Sequence, residues 1–211
     1  MRLKLFNTAK SSPSHRVRIA LALKGLDYEY VAVDLGKRAH KSAEYLALNP
    51  QGVLPLLVAD GVPLAQTLAI VEWLEETVPE PPLLPRDPLL RAKARRIAAM
   101  IATDVTPLHS MRVSKAIVTD LGQKPEVLRG WTQRWIGEGF AAVESVVAAE
   151  RGPFCLGDTP TIADVFLVPA VGIARMSGVD LGAFPRIAAI DAAAAEHPAF
   201  VAAHPSRQPD A

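Results

Sequence analysis

The sequence is almost without cysteine: Cys155 stands alone among 211 residues. One cysteine closes no internal disulfide and is too few for a structural zinc site, which fits a reducing compartment. Charge of one sign is also lacking, because 23 Lys and Arg balance 22 Asp and Glu. That balance removes the basic footprint of a nucleic-acid or anionic-membrane binder, so neither is expected as a partner. No apolar run reaches the ~18 residues of a membrane span. The opening MRLKLFNTAKSS carries charges at positions 2, 4 and 10, which leaves no apolar core for a signal peptide. A soluble, cytoplasmic protein is the expectation. A P-loop, a G-x-S-x-G elbow and an H-E-x-x-H pair are all missing. The histidines, at 15, 40, 109, 197 and 204, are too scattered for a metal site, and no metal is expected. GEGFAA (137–142) satisfies G-x-G-x-x-A, yet it lies in a helical stretch and follows no strand, so it is not a dinucleotide fingerprint. Cys155, in GPFCLGD, reads as a packing residue.

What is present divides the chain in two. LKLFN (3–7) and YEYVAVDL (28–35) alternate as half-buried strands do, and the segment between them has helical period. There Val17, Ile19, Ala20, Leu21 and Leu23 supply the apolar face, Arg16, Arg18 and Lys24 are assigned to water, and Gly25 sits where a helix ends. A short helix (42–48), a strand (53–60), a turn into another strand (61–65) and an amphipathic helix (66–77) follow. The order is βαβαββα. Residues 77–88, TVPEPPLLPRDP, hold five prolines and form a stiff linker. Beyond it the period is helical: Asp87 and Pro88 cap a helix reaching about Val118, and others fit 125–150, 162–176, 186–195 and 198–203. Thr161 and Asp164 have the spacing of a capping box before an apolar run. The expected domains are 1–80 and an all-α bundle 88–211, joined by 81–87.

The stretch AKSSPSHRVRIAL (9–21) runs a serine cluster into a helix. Ser14 is the expected helix start, Pro13 shapes the turn, and Ser11 and Ser12 lie in the loop above its positive end. Leu54-Pro55 opens a strand, which suits either an edge-strand proline or a cis bond, the latter costing only about 0.5–1 kcal/mol over trans. Thr67 reads as a cap or as part of an anion site, and His40 as an ordinary loop histidine.

Together with ALNPQGVLPLL, QTLAIVEWLEETVPEPPLLP, GDTPTIADVFLVPAV and HPSRQPDA, that serine segment resembles the zeta class of the cytosolic glutathione transferases over nearly the whole chain. The resemblance implies an α/β thioredoxin-like N-terminal domain followed by an all-α C-terminal helical bundle. It implies glutathione as cofactor, a homodimer, and a small anionic or electrophilic substrate. Ser11 becomes the hydroxyl that activates the glutathione sulfur, with Ser12 as its catalytic neighbour. Arg16, His40, Leu54, Gln66, Thr67, Thr106, Ser110 and Arg112 are the implied glutathione contacts and Lys10 the implied substrate contact, while Arg175, about 100° round the helix from position 176, would serve the substrate only by a shift. A cis Leu54-Pro55 bond and backbone pairing of Leu54 with glutathione belong to the same pattern. The implied reaction is cis-trans isomerisation of maleylacetoacetate or maleylpyruvate through thiolate addition, bond rotation and elimination. Pro13 replaces a cysteine common in the class, and Met176 an arginine that meets the substrate carboxylate. Two other readings follow from these departures: a transferase or dehalogenase acting on α-haloacids, and a non-catalytic glutathione-binding or interaction module.

Overall fold

The computed structural model describes residues 1–211, which form two compact units: residues 1–83 together with 196–211, and residues 84–195. In the first unit β1 (Leu3–Asn7), α1 (Ser12–Leu23), β2 (Glu29–Ala32), α2 (Ala43–Leu48), β3 (Leu56–Ala59), β4 (Val62–Ala65) and α3 (Thr67–Thr77) follow in the expected βαβαββα order. The sheet order is β2-β1-β3-β4, with β1 and β2 parallel and the other pairs antiparallel. Leu3, Leu5 and Asn7 alternate inward along β1, as a period of two requires. Pro63 is accommodated because β4 is an edge strand and a proline there leaves no ladder donor missing. The strands are shorter than the sequence suggests. Beyond β2 the Asp34 carboxylate accepts the Lys37 N–H at 3.0 Å and turns the chain, and Pro55 has no N–H to extend β3 toward residue 53.

Two expectations for α1 need correction. The helix begins at Ser12 with Ser11 as its N-cap, so Pro13 lies in its first turn. Arg16, Arg18 and Lys24, assigned to water by the helical period, are all buried. α1 packs on α3 on one side and on α9 (Pro198–Ala203) on another, which leaves no wet face. Each cation can then remain inside only with polar partners. Lys24 Nζ lies 2.5 Å from the Glu75 carboxylate and 2.7 Å from the Pro81 carbonyl, and the same carboxylate accepts the Leu83 N–H. The proline-rich stretch is therefore pinned to the first unit up to residue 83. Gly25 ends α1 at φ +63, in the left-handed region expected of it.

The second unit is helical. α4 (Pro88–Ala99) starts on the Asp87 cap, whose carboxylate accepts the Leu90 N–H at 2.8 Å. Its expected continuation to Val118 is broken into a π-helical turn (Met100–Val105), a 3-10 turn (Thr106–His109), the short α5 (Met111–Lys115) and a second π-helical turn (Ala116–Asp120). Pro107 lacks the N–H that a regular helix needs, and Ser110 is extended. α6 (Pro125–Val147), α7 (Ile162–Met176) and α8 (Pro185–Glu196) complete the unit, with α7 packed against α4 and buried on almost every side. The Thr161–Asp164 capping box is formed as the spacing predicts. Gly139 of GEGFAA serves packing: a Cβ there would stand 2.1 Å from Val105 Cγ2, so α6 meets the π-helical turn only because the residue is glycine. Cys155 is fully buried beside Asp164, and burial pushes its thiol well above the usual range.

Candidate active site

Strand register gathers the predicted residues of the first unit at one end of the sheet. Asn7 pairs with Ala32, Phe6 with Leu56, and Leu56 with Ala65. The chain therefore leaves β1, β2 and β4, and enters β3, at the same end. These four segments carry Lys10, Ser11 and Ser12; His40; Leu54; and Gln66 with Thr67.

Ser11 is at once cap and candidate donor. Its Oγ accepts the Ser14 N–H at 3.2 Å, which fixes the side chain and leaves the hydroxyl hydrogen to donate elsewhere. Ser12 is the first residue of the helix, and its buried Oγ has no hydrogen-bond partner in the protein. The first turn of α1 contains no acidic residue of its own, which leaves the positive end of the helix dipole favourable to an anion. Behind it Arg16 is buried, and burial pulls its pKa down to about 9, which leaves it cationic at neutral pH. Lys10 is exposed on the loop before Ser11.

The other segments interlock. Gly52, at φ +58, lies so close to the turn Ala39–Lys41 that a Cβ would meet Lys41 Nζ at 2.6 Å and the His40 carbonyl at 3.1 Å. Gln51, the neighbouring residue, accepts a 2.7 Å hydrogen bond from Gln66 Nε2. His40 and Gln66 are thereby tied to one loop, whose Val53 carbonyl is held by the Tyr45 hydroxyl at 2.6 Å and by Asn49 Nδ2 at 2.9 Å. Leu54 follows at once, and its bond to Pro55 is cis, as the resemblance implies. His40 Nδ1 is buried without a partner, and its pKa is lowered by burial, then by Lys41 and Arg38, so the ring is neutral at pH 7. Gln66 caps α3 at φ +72, a conformation that non-glycine residues adopt only under strain, of order 1–3 kcal/mol. α3 also lacks an acidic residue in its first turn, and Thr67 there is buried. Two helix N-termini without acids in their first turns, orphaned polar groups and a cationic turn suit an anionic ligand.

Gln51 and Lys41 are absent from the residues that the sequence singles out. Gln51 stands inside ALNPQGVLPLL, but only the folded loop shows what it touches.

The remaining predicted residues lie in the second unit. The Thr106 hydroxyl donates to the Ile101 carbonyl at 2.7 Å and Ser110 Oγ to the Pro107 carbonyl at 2.8 Å, while Arg112 is exposed on α5. Arg175 is paired with Asp191 at 2.6 Å, and its neighbour Met176 is 81% exposed. A cavity of about 410 Å³ in this unit is lined by Thr103, Asp104, Val105, Leu108, Trp135, Glu138 and Gly139. It includes none of the predicted residues, and the convergence at the sheet end carries more chemistry than its volume does.

Comparison with known proteins identifies the family of both units. Residues 1–76 match the family model "Glutathione S-transferase, N-terminal domain", and residues 123–202 match "Glutathione S-transferase, C-terminal domain". A maleylacetoacetate isomerase from Pseudomonas aeruginosa is 47% identical over 99% of this chain and 98% of its own. The holo structure of a maleylpyruvate isomerase, described as a bacterial zeta-class glutathione S-transferase, superimposes with a TM-score of 0.96 at 44% identity, covering 99% of each chain. A maleylacetoacetate isomerase from Anaeromyxobacter dehalogenans with glutathione in its active site gives 0.90 at 42%, covering 100% of this chain and 98% of that one.

Proposed function

The chain belongs to the zeta class of the glutathione S-transferase family, and from that premise we propose that it is a glutathione-dependent cis-trans isomerase of maleylacetoacetate or maleylpyruvate. The observation that carries this is the Ser11 hydroxyl, locked by the Ser14 N–H on a helix N-terminus whose own first turn holds no acid. The chemistry glutathione supplies when bound is a nucleophilic sulfur for reversible addition to the maleyl double bond. A free thiol has a pKa near 8.5, so the site must favour the thiolate by roughly 1.4 kcal/mol for each unit of lowering. A Ser11 hydrogen bond and the end of α1 supply that kind of stabilisation.

In this reading Ser12 offers its unpartnered hydroxyl to the same ligand, and Arg16 adds positive charge from behind. Gln66 and Thr67, at the N-terminus of α3, receive the γ-glutamyl carboxylate. Leu54 offers its backbone to the cysteinyl residue, and His40 in its cationic turn meets the glycine end. The family pattern adds Thr106, Ser110 and Arg112 to the glutathione contacts. Lys10, exposed beside Ser11, draws the substrate carboxylate; Arg175 would first have to leave Asp191 to do the same. A cytoplasmic homodimer belongs to the same proposal, supported by the family pattern.

The test is an isomerase assay on both substrates with and without glutathione. The wild type converts at least one of them only with glutathione, and Ser11→Ala lowers kcat about 10- to 100-fold while still binding glutathione. An inert wild type, or one that releases halide from a haloacid without isomerising either substrate, overturns the proposal.

A further inference from the structure

The Ser11 loop is gripped from two sides by groups that the reaction itself does not use. Thr8 and Ala9, which connect β1 to Lys10 and Ser11, have no strand partner of their own. On their carbonyl side stands the buried Arg18 guanidinium, which donates to the Thr8 carbonyl at 3.2 Å, the Ala9 carbonyl at 2.9 Å, Asn7 Oδ1 at 3.0 Å and the Ala203 carbonyl at 3.0 Å. On their donor side stands the Asp210 carboxylate. It accepts the Thr8 hydroxyl at 2.9 Å, the Ala9 N–H at 3.1 and 3.2 Å to its two oxygens, and the Tyr30 hydroxyl. The Thr8 carbonyl that receives Arg18 also receives the Ser11 N–H at 3.2 Å, so the grip is one hydrogen bond from the candidate donor. The segment carrying Asp210 is itself fastened, because Gln208 Nε2 donates to the Ala202 and His204 carbonyls.

We propose that Asp210, with Arg18 opposite it, is a positioning residue that holds Thr8 and Ala9 so that the Ser11 hydroxyl points at the sulfur of bound glutathione. The inference rests on the glutathione reading above. The bonds suit this role because they join ionised groups to backbone and hydroxyl partners, which makes them directional and about twice as strong as neutral pairs. Burial disfavours the Asp210 anion, but the Tyr30, Thr8 and Ala9 donors outweigh it and hold its pKa below the usual carboxylate range, so it is charged at neutral pH. None of the three groups that it holds is apolar packing; two lie in the loop and one in β2.

The full chain carrying Asp210→Asn or Thr8→Val, each with Ser11 or Ser11→Ala, tests this. The readouts are the pKa of bound glutathione from thiolate absorbance against pH, glutathione affinity by calorimetry, kcat and KM, and Tm. With Ser11 present, Asp210→Asn raises the bound thiol pKa and lowers kcat about tenfold with little change in substrate KM, as a small misplacement of a donor does. Thr8→Val shifts both in the same direction by less. In the Ser11→Ala background neither variant moves the thiol pKa further, because the positioned group is gone. An unchanged thiol pKa with Ser11 present, or an equal rise in both backgrounds, overturns the proposal and leaves Asp210 a purely structural residue. If Asp210→Asn does not fold, Thr8→Val decides by the same criterion. A wild type that leaves the glutathione pKa at its solution value overturns the glutathione reading and this proposal with it.

Discussion

The Ser11 oxygen accepts the Ser14 N–H and keeps its hydrogen to give, so one residue is both the cap and the candidate activating group. Four positions on, His15 is buried in α1, and its pKa is pushed down to about 3, first by burial and then by Arg18, His204 and Arg16. An unfolded His15 takes up a proton below about pH 6.5, while the folded one does so only near 3. Across that window the unfolded state binds more protons, so stability falls as the pH falls, by up to about 1.4 kcal/mol per pH unit from this group. Urea unfolding of wild type and His15→Gln at pH 7 and pH 5 should show a shallower acid loss in the variant; equal slopes would remove His15 from the account. The serines were legible as a motif in the sequence. The burial of His15 and the strained Gln66 were not, because both depend on neighbours far away in the chain.

At the scale of elements, α7 shows how a local pattern becomes a tertiary anchor. Asp164 is fully buried and accepts the Thr161 N–H at 2.8 Å, the Thr161 hydroxyl at 3.0 Å and the Cys155 N–H at 2.7 Å. The first two follow from the Thr161–Asp164 spacing. The third joins the loop before α7 to its first turn and has no signature in the sequence. Asp164→Ala strands two buried N–H donors and should cost about 3 kcal/mol, seen as a lower urea midpoint, whereas loss of an ordinary cap costs only about 1. The same contrast holds along residues 88–120. Asp87 and Pro88 announced the start of α4, but helical period does not reveal that Pro107 and Ser110 break its continuation into π-helical and 3-10 turns.

For the whole molecule, the telling fact is which unit residues 196–211 join. They pack with residues 1–83, whereas helical period and order along the chain assigned them to the bundle. Phe200 in α9 is buried, and α9 lies on α1. Phe200→Ala should therefore cost about 3–5 kcal/mol and, in hydrogen exchange, deprotect α1 well before α7. Deprotection of α7 first would place the helix in the other unit. What the sequence determined by itself was local: the βαβαββα order, the helical period beyond the prolines, the caps at Asp87 and Thr161, and a serine motif specific enough to name a chemistry. The first three are set by backbone propensity and by side-chain spacing within a few residues, whereas the chemistry of the serine motif came from its resemblance to a family. What only the tertiary structure decided was which faces of α1 are dry. The period of a helix ranks its faces relative to one another but does not count the elements that will cover them. Arg18 could be read as solvated until Ala203, 185 residues away, supplied a carbonyl, and the Ser11 loop as unsupported until Asp210 closed over it.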